Sequence, residues 1–217
     1  MHLQRKVVQM FSAAGQACRD VPYFNEYQLT LKQVYRFYNN SAVRYNELRA
    51  MEEVLEDENM RHLSLKEPAS FRWLSMDAAV TAIYDVYPAL VKALENNAAS
   101  KNNTEAKGLY MKVKSVAFIM FILTTSFLKD ALAVVTKLAK IFQRDNLDIS
   151  VVNSMVDSTI ERLEQFKMCN GKELDLVYKT LLESPGIYKQ VKLLDKENLR
   201  MQFQNSSSCT WKHLLKI

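Results

Sequence analysis

Apolar positions along this chain return at helical intervals almost throughout. Between Tyr23 and Asn40, the residues Phe24, Tyr27, Leu31, Val34, Tyr35 and Tyr38 recur at steps of three, four and one. That period lays an aromatic stripe along one side of a helix, and Pro22 fits its first turn, where a missing N–H costs nothing. The break Asn39-Asn40-Ser41 follows, with Ser41 placed as the N-cap of a helix from about Ala42 to Glu56. There Val43, Leu48, Met51, Val54 and Leu55 are expected to face inward and Arg44, Glu47, Arg49, Glu52 and Glu53 to stay in water. Upstream, residues 3–18 fit a helix with Val7, Met10, Phe11 and Ala14 on one side.

Residues 57–71 lose the period and contain Pro68, which predicts a loop. Ser75 fits the N-cap of a helix that buries Val80, Ile83, Tyr84, Tyr87, Leu90, Val91 and Leu94. Pro88 lies inside it and removes one backbone hydrogen bond, so a kink or a split is expected. The polar run 95–103 predicts a surface loop. Thr104 to about Arg144 reads as one long helical stretch, apolar nearly all round at its centre, with a break near Lys129–Asp130. Asp148 is placed to cap a helix from Ile149 to Lys167 with Val152, Met155, Ile160, Leu163 and Phe166 as its stripe; a shorter helix, Glu173 to Glu183, precedes Ser184-Pro185-Gly186. The segment from Lys189 is charged, and the low apolar content between Asp195 and Ser208 predicts weak order. The expectation is an all-α, multi-helix bundle over 1–186 and a weakly ordered C-terminal tail over 187–217. No repeat at a period of 30–45 residues is visible.

Composition supports that class. The chain has 217 residues, 48% hydrophobic and 24% charged, with only 4 Gly and 4 Pro, too few breakers for a sheet or barrel built on regular short turns. The most hydrophobic stretch, Val116 to Leu128, rises only about 20 Å as a helix, which is short of a bilayer core. A buried core helix is therefore expected and no membrane partner. The opening residues MHLQRKVVQM contain no apolar signal region. A net charge of +5 is a mild bias, compatible with an anionic partner such as nucleic acid.

Catalytic chemistry is hard to place. Cys18, Cys169 and Cys209 are far apart, as are His2, His62 and His213, so no zinc-ligand spacing exists and unpaired thiols in a reducing, intracellular compartment are expected. There is no G-x-x-x-x-G-K-[ST], G-x-G-x-x-G, G-x-S-x-G or H-E-x-x-H, and nothing indicates a cofactor or a small-molecule substrate. The acidic residues read as solvated helix faces or caps. One local motif stands out: Phe71-Arg72-Trp73-Leu74-Ser75, where a loop enters a helix. Trp73 could pack under the helix start while Arg72 pairs with an acid. Alternatively, Arg72 meets a phosphate and Trp73 stacks on an exposed base, beside a helix N-terminus that favours anions.

The runs DVPYF (Asp20 to Phe24), LKQVYRFYNNSAVRYNELRAMEEVL (Leu31 to Leu55) and RWLSMDAAVTAIYDVYPALVKALE (Arg72 to Glu95) resemble the hAT transposase superfamily. More narrowly they resemble domesticated hAT-derived proteins of animals, some fused to zinc fingers. The Y-x-F-Y-x-N-S-x-V-R stretch, followed some thirty residues later by R-W-L-S, carries the likeness, which covers roughly residues 12–170. In that family an RNase H-like core carries two Asp and one Glu, and a helical insertion interrupts it. The matched runs resemble the insertion, so the catalytic sheet is expected to be absent or residual. The family's Cys-x-x-His element is not reproduced, since Cys18 is followed by Arg19, Asp20 and Val21. The two strand-borne Asp would lie upstream, and no Glu can be nominated, so transposase activity does not carry over and the chain is expected not to be an enzyme. What carries over is the insertion's tryptophan, implicated in stacking on a flipped base at the DNA end. By resemblance that role falls on Trp73, with Arg72 beside it, and a nuclear location is implied.

Two functional expectations follow. A non-catalytic remnant with some affinity for DNA would set Arg72 and Trp73 in a basic groove lined by some of Lys66, Lys112 and Lys114. A helical interaction module, pairing with itself or another hAT-derived protein, would expose an apolar patch, with Tyr27, Tyr35 and Tyr38 as its source if they are not core. A third reading is a truncated fragment of a larger transposase-like protein.

Overall fold

The computed structural model describes residues 22–55, 64–68, 73–100, 103–114, 117–143, 149–184, 187–189 and 191–192. The helices are α1 (Pro22–Asn39), α2 (Ala42–Leu55), α3 (Trp73–Ser100), α4 (Thr104–Lys114), α5 (Ala117–Phe142), α6 (Ile149–Met168) and α7 (Lys172–Glu183). Among the described residues the only strands are β1 (Ile187–Tyr188) and β2 (Val191–Lys192), an antiparallel pair in the register Ile187↔Lys192 and Tyr188↔Val191. The described chain is thus predominantly helical, as its periodicity predicts. The expected helix over 3–18, most of the 57–71 loop, Asp148 and the tail from residue 193 lie outside the described residues.

α3 is the axis of the fold. It packs along α2, α4 and α5, while α5 also receives α4, α6 and α7. The aromatic stripe of α1 is core: Tyr27, Leu31, Val34, Phe37 and Tyr38 are buried, and Tyr35 is half-buried against them. The Tyr27 hydroxyl meets Thr125 Oγ1 of α5 at 3.0 Å, and its ring lies 5.1 Å from that of Phe121. A smaller cluster of Leu138, Val152 and Val156 joins α5 to α6.

Helix starts follow local chemistry closely. Pro22 opens α1, and Ser41 caps α2, with its Oγ accepting from the Arg44 N–H at 3.4 Å. α3, however, begins at Trp73, so Ser75 lies within its first turn and is not the cap. Pro88 does not divide α3. A mid-helix proline costs about 3 kcal/mol, yet Leu90 and Leu94, both 0% exposed, contribute about 2 kcal/mol each by burial alone.

Tertiary contacts overturn several local expectations. The polar run 95–103 is no loop for most of its length, because α3 continues to Ser100. Asn97 is buried there, donating to the Glu47 carboxylate at 3.0 Å and to the Ala93 carbonyl at 2.9 Å. Asn103 then caps α4, accepting from the Glu105 and Ala106 N–H groups at 3.0 and 3.1 Å. The stretch after Thr104 forms two helices, and α5 runs through Lys129–Asp130 unbroken. Both polar residues have partners on other elements, described below. In α2, Leu48 and Met51 face the core, but Val43, Val54 and Leu55 are exposed, the first two at 63% and 75%. In α6 the inward stripe is Val152, Met155, Val156, Thr159, Leu163 and Phe166, and only Ile160 of the expected residues is exposed. Tyr188, placed by sequence in the weakly ordered tail, is 3% exposed and belongs to the main core.

Candidate functional site

Trp73 is the first residue of α3, half-buried and packed against the main core. Arg72 lies outside the described residues. Of the lysines some of which were expected to line a groove beside it, Lys112 and Lys114 lie elsewhere. Lys114 Nζ bonds Glu95 Oε1 at 3.2 Å, and Glu95 is separated from Trp73 by roughly 33 Å of α3 at about 1.5 Å per residue. Lys112, two residues earlier on α4, donates to Gln33 of α1 at 2.9 Å. Lys66 is exposed, in the irregular segment 64–68. The tyrosine stripe is not an exposed patch either, since Tyr27 and Tyr38 are 1% exposed.

The C-terminal half of α3 carries one polar cluster. Glu95 accepts from Tyr110 Oη at 2.7 Å, from Lys92 at 3.0 Å and from Lys114 at 3.2 Å. Lys114 also bonds the Tyr110 hydroxyl. The Tyr110 hydrogen bond, aided by the two lysines, holds the Glu95 carboxyl down at about 2 against partial burial. Burial pulls the Lys114 amine down, but the Tyr110 and Glu95 hydrogen bonds outweigh it and its pKa rises. Every charge in this cluster faces an opposite one, which makes it a structural clamp between α3 and α4.

A second cluster surrounds the middle of α3, and sequence reasoning missed it. Lys129 of α5 bonds Asp85 at 2.9 Å, with its Nζ 3.8 Å from the centre of the Tyr84 ring. Lys189, in the turn between β1 and β2, places its Nζ 3.9 Å from the centre of the same ring. That amine donates to the Tyr84 carbonyl at 2.9 Å. The carbonyl four residues before a proline has no helical N–H to accept, and Pro88 creates that vacancy at Tyr84. Lys189 therefore fills the acceptor that Pro88 leaves orphaned. Its backbone has φ 43°, a left-handed conformation that costs a side-chain-bearing residue about 1 kcal/mol and that two-residue hairpin turns require.

The electrostatics of this cluster are uneven. Burial, with Lys129 as a nearby like charge, lowers Lys189 from the ordinary lysine range to about 8 against the opposing pull of Asp85 and Glu173. Burial pushes the Tyr84 phenol far up, with the Tyr188 and Glu173 side chains against it. Burial likewise pushes Tyr188 to about 12. Behind these rings Tyr84, Tyr87, Ile122, Thr125 and Tyr188 enclose a cavity of about 10 Å³, room for one water. The N-terminus of α7 closes the cluster's lower side. Asp130, one residue beyond Lys129, caps α7 across space by accepting the Glu173 and Leu174 N–H groups at 3.1 and 3.0 Å. Gly171 makes room for that carboxylate: a Cβ there would lie 2.3 Å from Asp130 Cγ.

Nothing in the linear sequence marks Tyr84, Lys129 and Lys189 as neighbours. They come from three separate elements, and the lysines read locally as a helix break and a tail. Among the described residues no group of three or more His, Cys, Asp or Glu is placed to hold a metal ion. No described helix is long and apolar enough to cross a membrane. Cys169 is exposed as a free thiol. No protein-family model matches the chain, and no solved structure gives a significant match.

Proposed function

We propose that this chain is a non-catalytic remnant of a hAT-transposase-like protein, a helical module of the insertion type that binds nucleic acid at Arg72 and Trp73. The observation that carries the reading is the placement of Trp73 as the first residue of the longest helix. Half-buried against the core, its indole is anchored at a helix end whose dipole favours a phosphate. A planar aromatic held in that way is what stacking on an unpaired base requires. A nuclear location follows from the same resemblance. The contact would be small, because Lys112 and Lys114 are committed elsewhere and add nothing to it.

The test is a fluorescence titration of the full chain with hairpin and duplex DNA at low and moderate salt. Binding should prefer the hairpin and weaken with salt by counterion release, with a shallow slope because few phosphates are met. Trp73→Ala should lower affinity about tenfold at unchanged helicity. No binding by a well-folded chain, or equal binding by the variant, overturns the reading.

The second reading is a helical interaction or dimerisation module. One observation favours it: Val43 and Val54 of α2, three turns apart on one helix face, are 63% and 75% exposed. Under this reading light scattering shows a dimer that Val54→Glu dissociates, with no response to DNA.

A further inference from the structure

Three helices are tied together at one place on the surface. Lys112 of α4 donates to Gln33 of α1 at 2.9 Å. One turn further along α1, the Arg44 guanidinium of α2 lies 4.1 Å from the centre of the Phe37 ring, and it pairs with Glu105 of α4 at 3.7 Å. Arg36 is exposed between Gln33 and Phe37, and Lys107 is exposed between Glu105 and Lys112. The resulting strip is uneven in charge. Lys32, Arg36, Arg44, Lys107 and Lys112 share it with Glu105, which Arg44 already holds. The nearest acid of α2, Glu47, is turned to Asn97 of α3. Among the described residues Lys32, Arg36, Lys107 and Lys112 have no ion-pair partner.

Between these charges lie groups that the fold leaves unused. Val43 and Met111 are 63% and 47% exposed. Gly108 stands in the middle of α4 on its exposed side, where its backbone freedom disfavours the helix relative to alanine. A Cβ there would meet nothing within 4 Å, so no contact inside the described chain requires a glycine. The missing side chain does allow a second backbone to come close, since the distance between packed helices is set by the side chains at the crossing.

We propose that this strip docks an acidic amphipathic helix from another protein. The partner's backbone crosses α4 at Gly108, its apolar side chains cover Met111 and Val43, and its carboxylates meet Arg36, Lys107 and Lys112. A nucleic acid fits the same charges less well. Its sugar–phosphate backbone leaves Met111 and Val43 in water, and among the described residues the strip offers no exposed aromatic ring for a base to stack on. The strip is also remote from Trp73, because Glu47 and Asn97 tie it to the opposite end of α3.

The experiment is fluorescence anisotropy of the full chain with a labelled peptide of about five helical turns, built from leucine at helical spacing with glutamate and alanine elsewhere. A second peptide carries glutamine at every glutamate position, and a thymidine oligonucleotide of similar length serves as competitor. The glutamate peptide should bind about tenfold tighter than the glutamine peptide, lose that margin as salt rises, and resist displacement by the oligonucleotide. Gly108→Gln enters open space, so it should keep or raise the thermal midpoint while weakening the peptide about tenfold. Arg36→Gln with Lys107→Gln should weaken it similarly at unchanged helical circular dichroism, whereas Trp73→Ala and Val54→Glu should leave it unchanged. Failure of the glutamate peptide to bind, equal binding of the two peptides, displacement by the oligonucleotide, or full affinity in Gly108→Gln overturns the proposal.

Discussion

Two lysines packed against the same long helix are driven in opposite directions. Near the C-terminal end of α3, Lys114 gains a phenol and a carboxylate, and its pKa rises. Near the middle, Lys189 gains a carbonyl and a second ammonium, and it falls to about 8. Burial alone penalises both ammonium groups; the sign is decided by what replaces the lost water. Around Glu95 that replacement is complementary charge, a salt-screened clamp between two helices. Around Tyr84 it is a set of dipoles and rings serving a defect, the acceptor orphaned by Pro88. The lesson is that a helix-interior proline need not be silent: it exposes a carbonyl, and the fold recruits a donor from a distant turn to fill it.

The comparison breaks most severely at Gly171. A Cβ there meets Asp130 Cγ and Oδ2 at 2.3 Å and Asp130 Cβ at 2.6 Å, so the carboxylate must leave the α7 N–H groups it caps. Gly171→Ala should lower unfolding free energy by about 2–3 kcal/mol in urea titrations followed by circular dichroism. Because α7 carries Glu173 to the Tyr84 cluster while the Glu95 partners come from α3 and α4, Tyr110 hydroxyl exchange in NMR should stay protected in the variant while the Lys189 amine signal shifts.

The two ends should also differ in which pH limb they control. Lys189 binds fewer protons folded than unfolded between about 8 and the ordinary lysine value, so stability rises with pH across that window. The rise is about 1 kcal/mol between pH 7.5 and 9 in urea titrations, and Lys189→Met should abolish it. The window is kept below pH 9.5 because burial raises Tyr27, Tyr38 and Tyr84, whose unfolded ionisation erodes stability above about 10. At the other end, Glu95 is held at about 2, so its contribution is complete above the ordinary carboxylate value and is lost as pH falls towards 2. Its carboxylate is about a third exposed, which screens the gain to roughly 1 kcal/mol or less. Thermal melts of Glu95→Gln and wild type should therefore converge at pH 2 and separate by a few degrees at pH 5.

Most of the helices were readable from period alone. Pro22 and Ser41 announced their positions because caps and first turns are local chemistry. Where the reading failed, polar residues met partners far away in the chain. Asn97 prolongs α3 because Glu47 reaches it from α2, and Lys129 and Asp130 sit inside α5 because Asp85 and the α7 start receive them. Val43 and Val54 failed for the converse reason: α2 has only part of its surface covered, by α1 and α3, so apolar residues on the remaining face stay in water. Of the candidate site, Trp73 at a helix start was legible, whereas its separation from Lys114 by most of α3 was not.

Sequence by itself determined the class of this protein. Four glycines, four prolines and an almost unbroken helical period leave the chain little but helices, and the local identity of capping residues sets many of their starts. Only the tertiary structure decided which charges are paired and which amine meets the carbonyl that Pro88 leaves open. Period and capping act within a few residues, so they are written in neighbouring letters. The electrostatics of α3 depend on groups brought from α4, α5, α7 and the β1–β2 turn, and only their packing sets the distances over which charge acts.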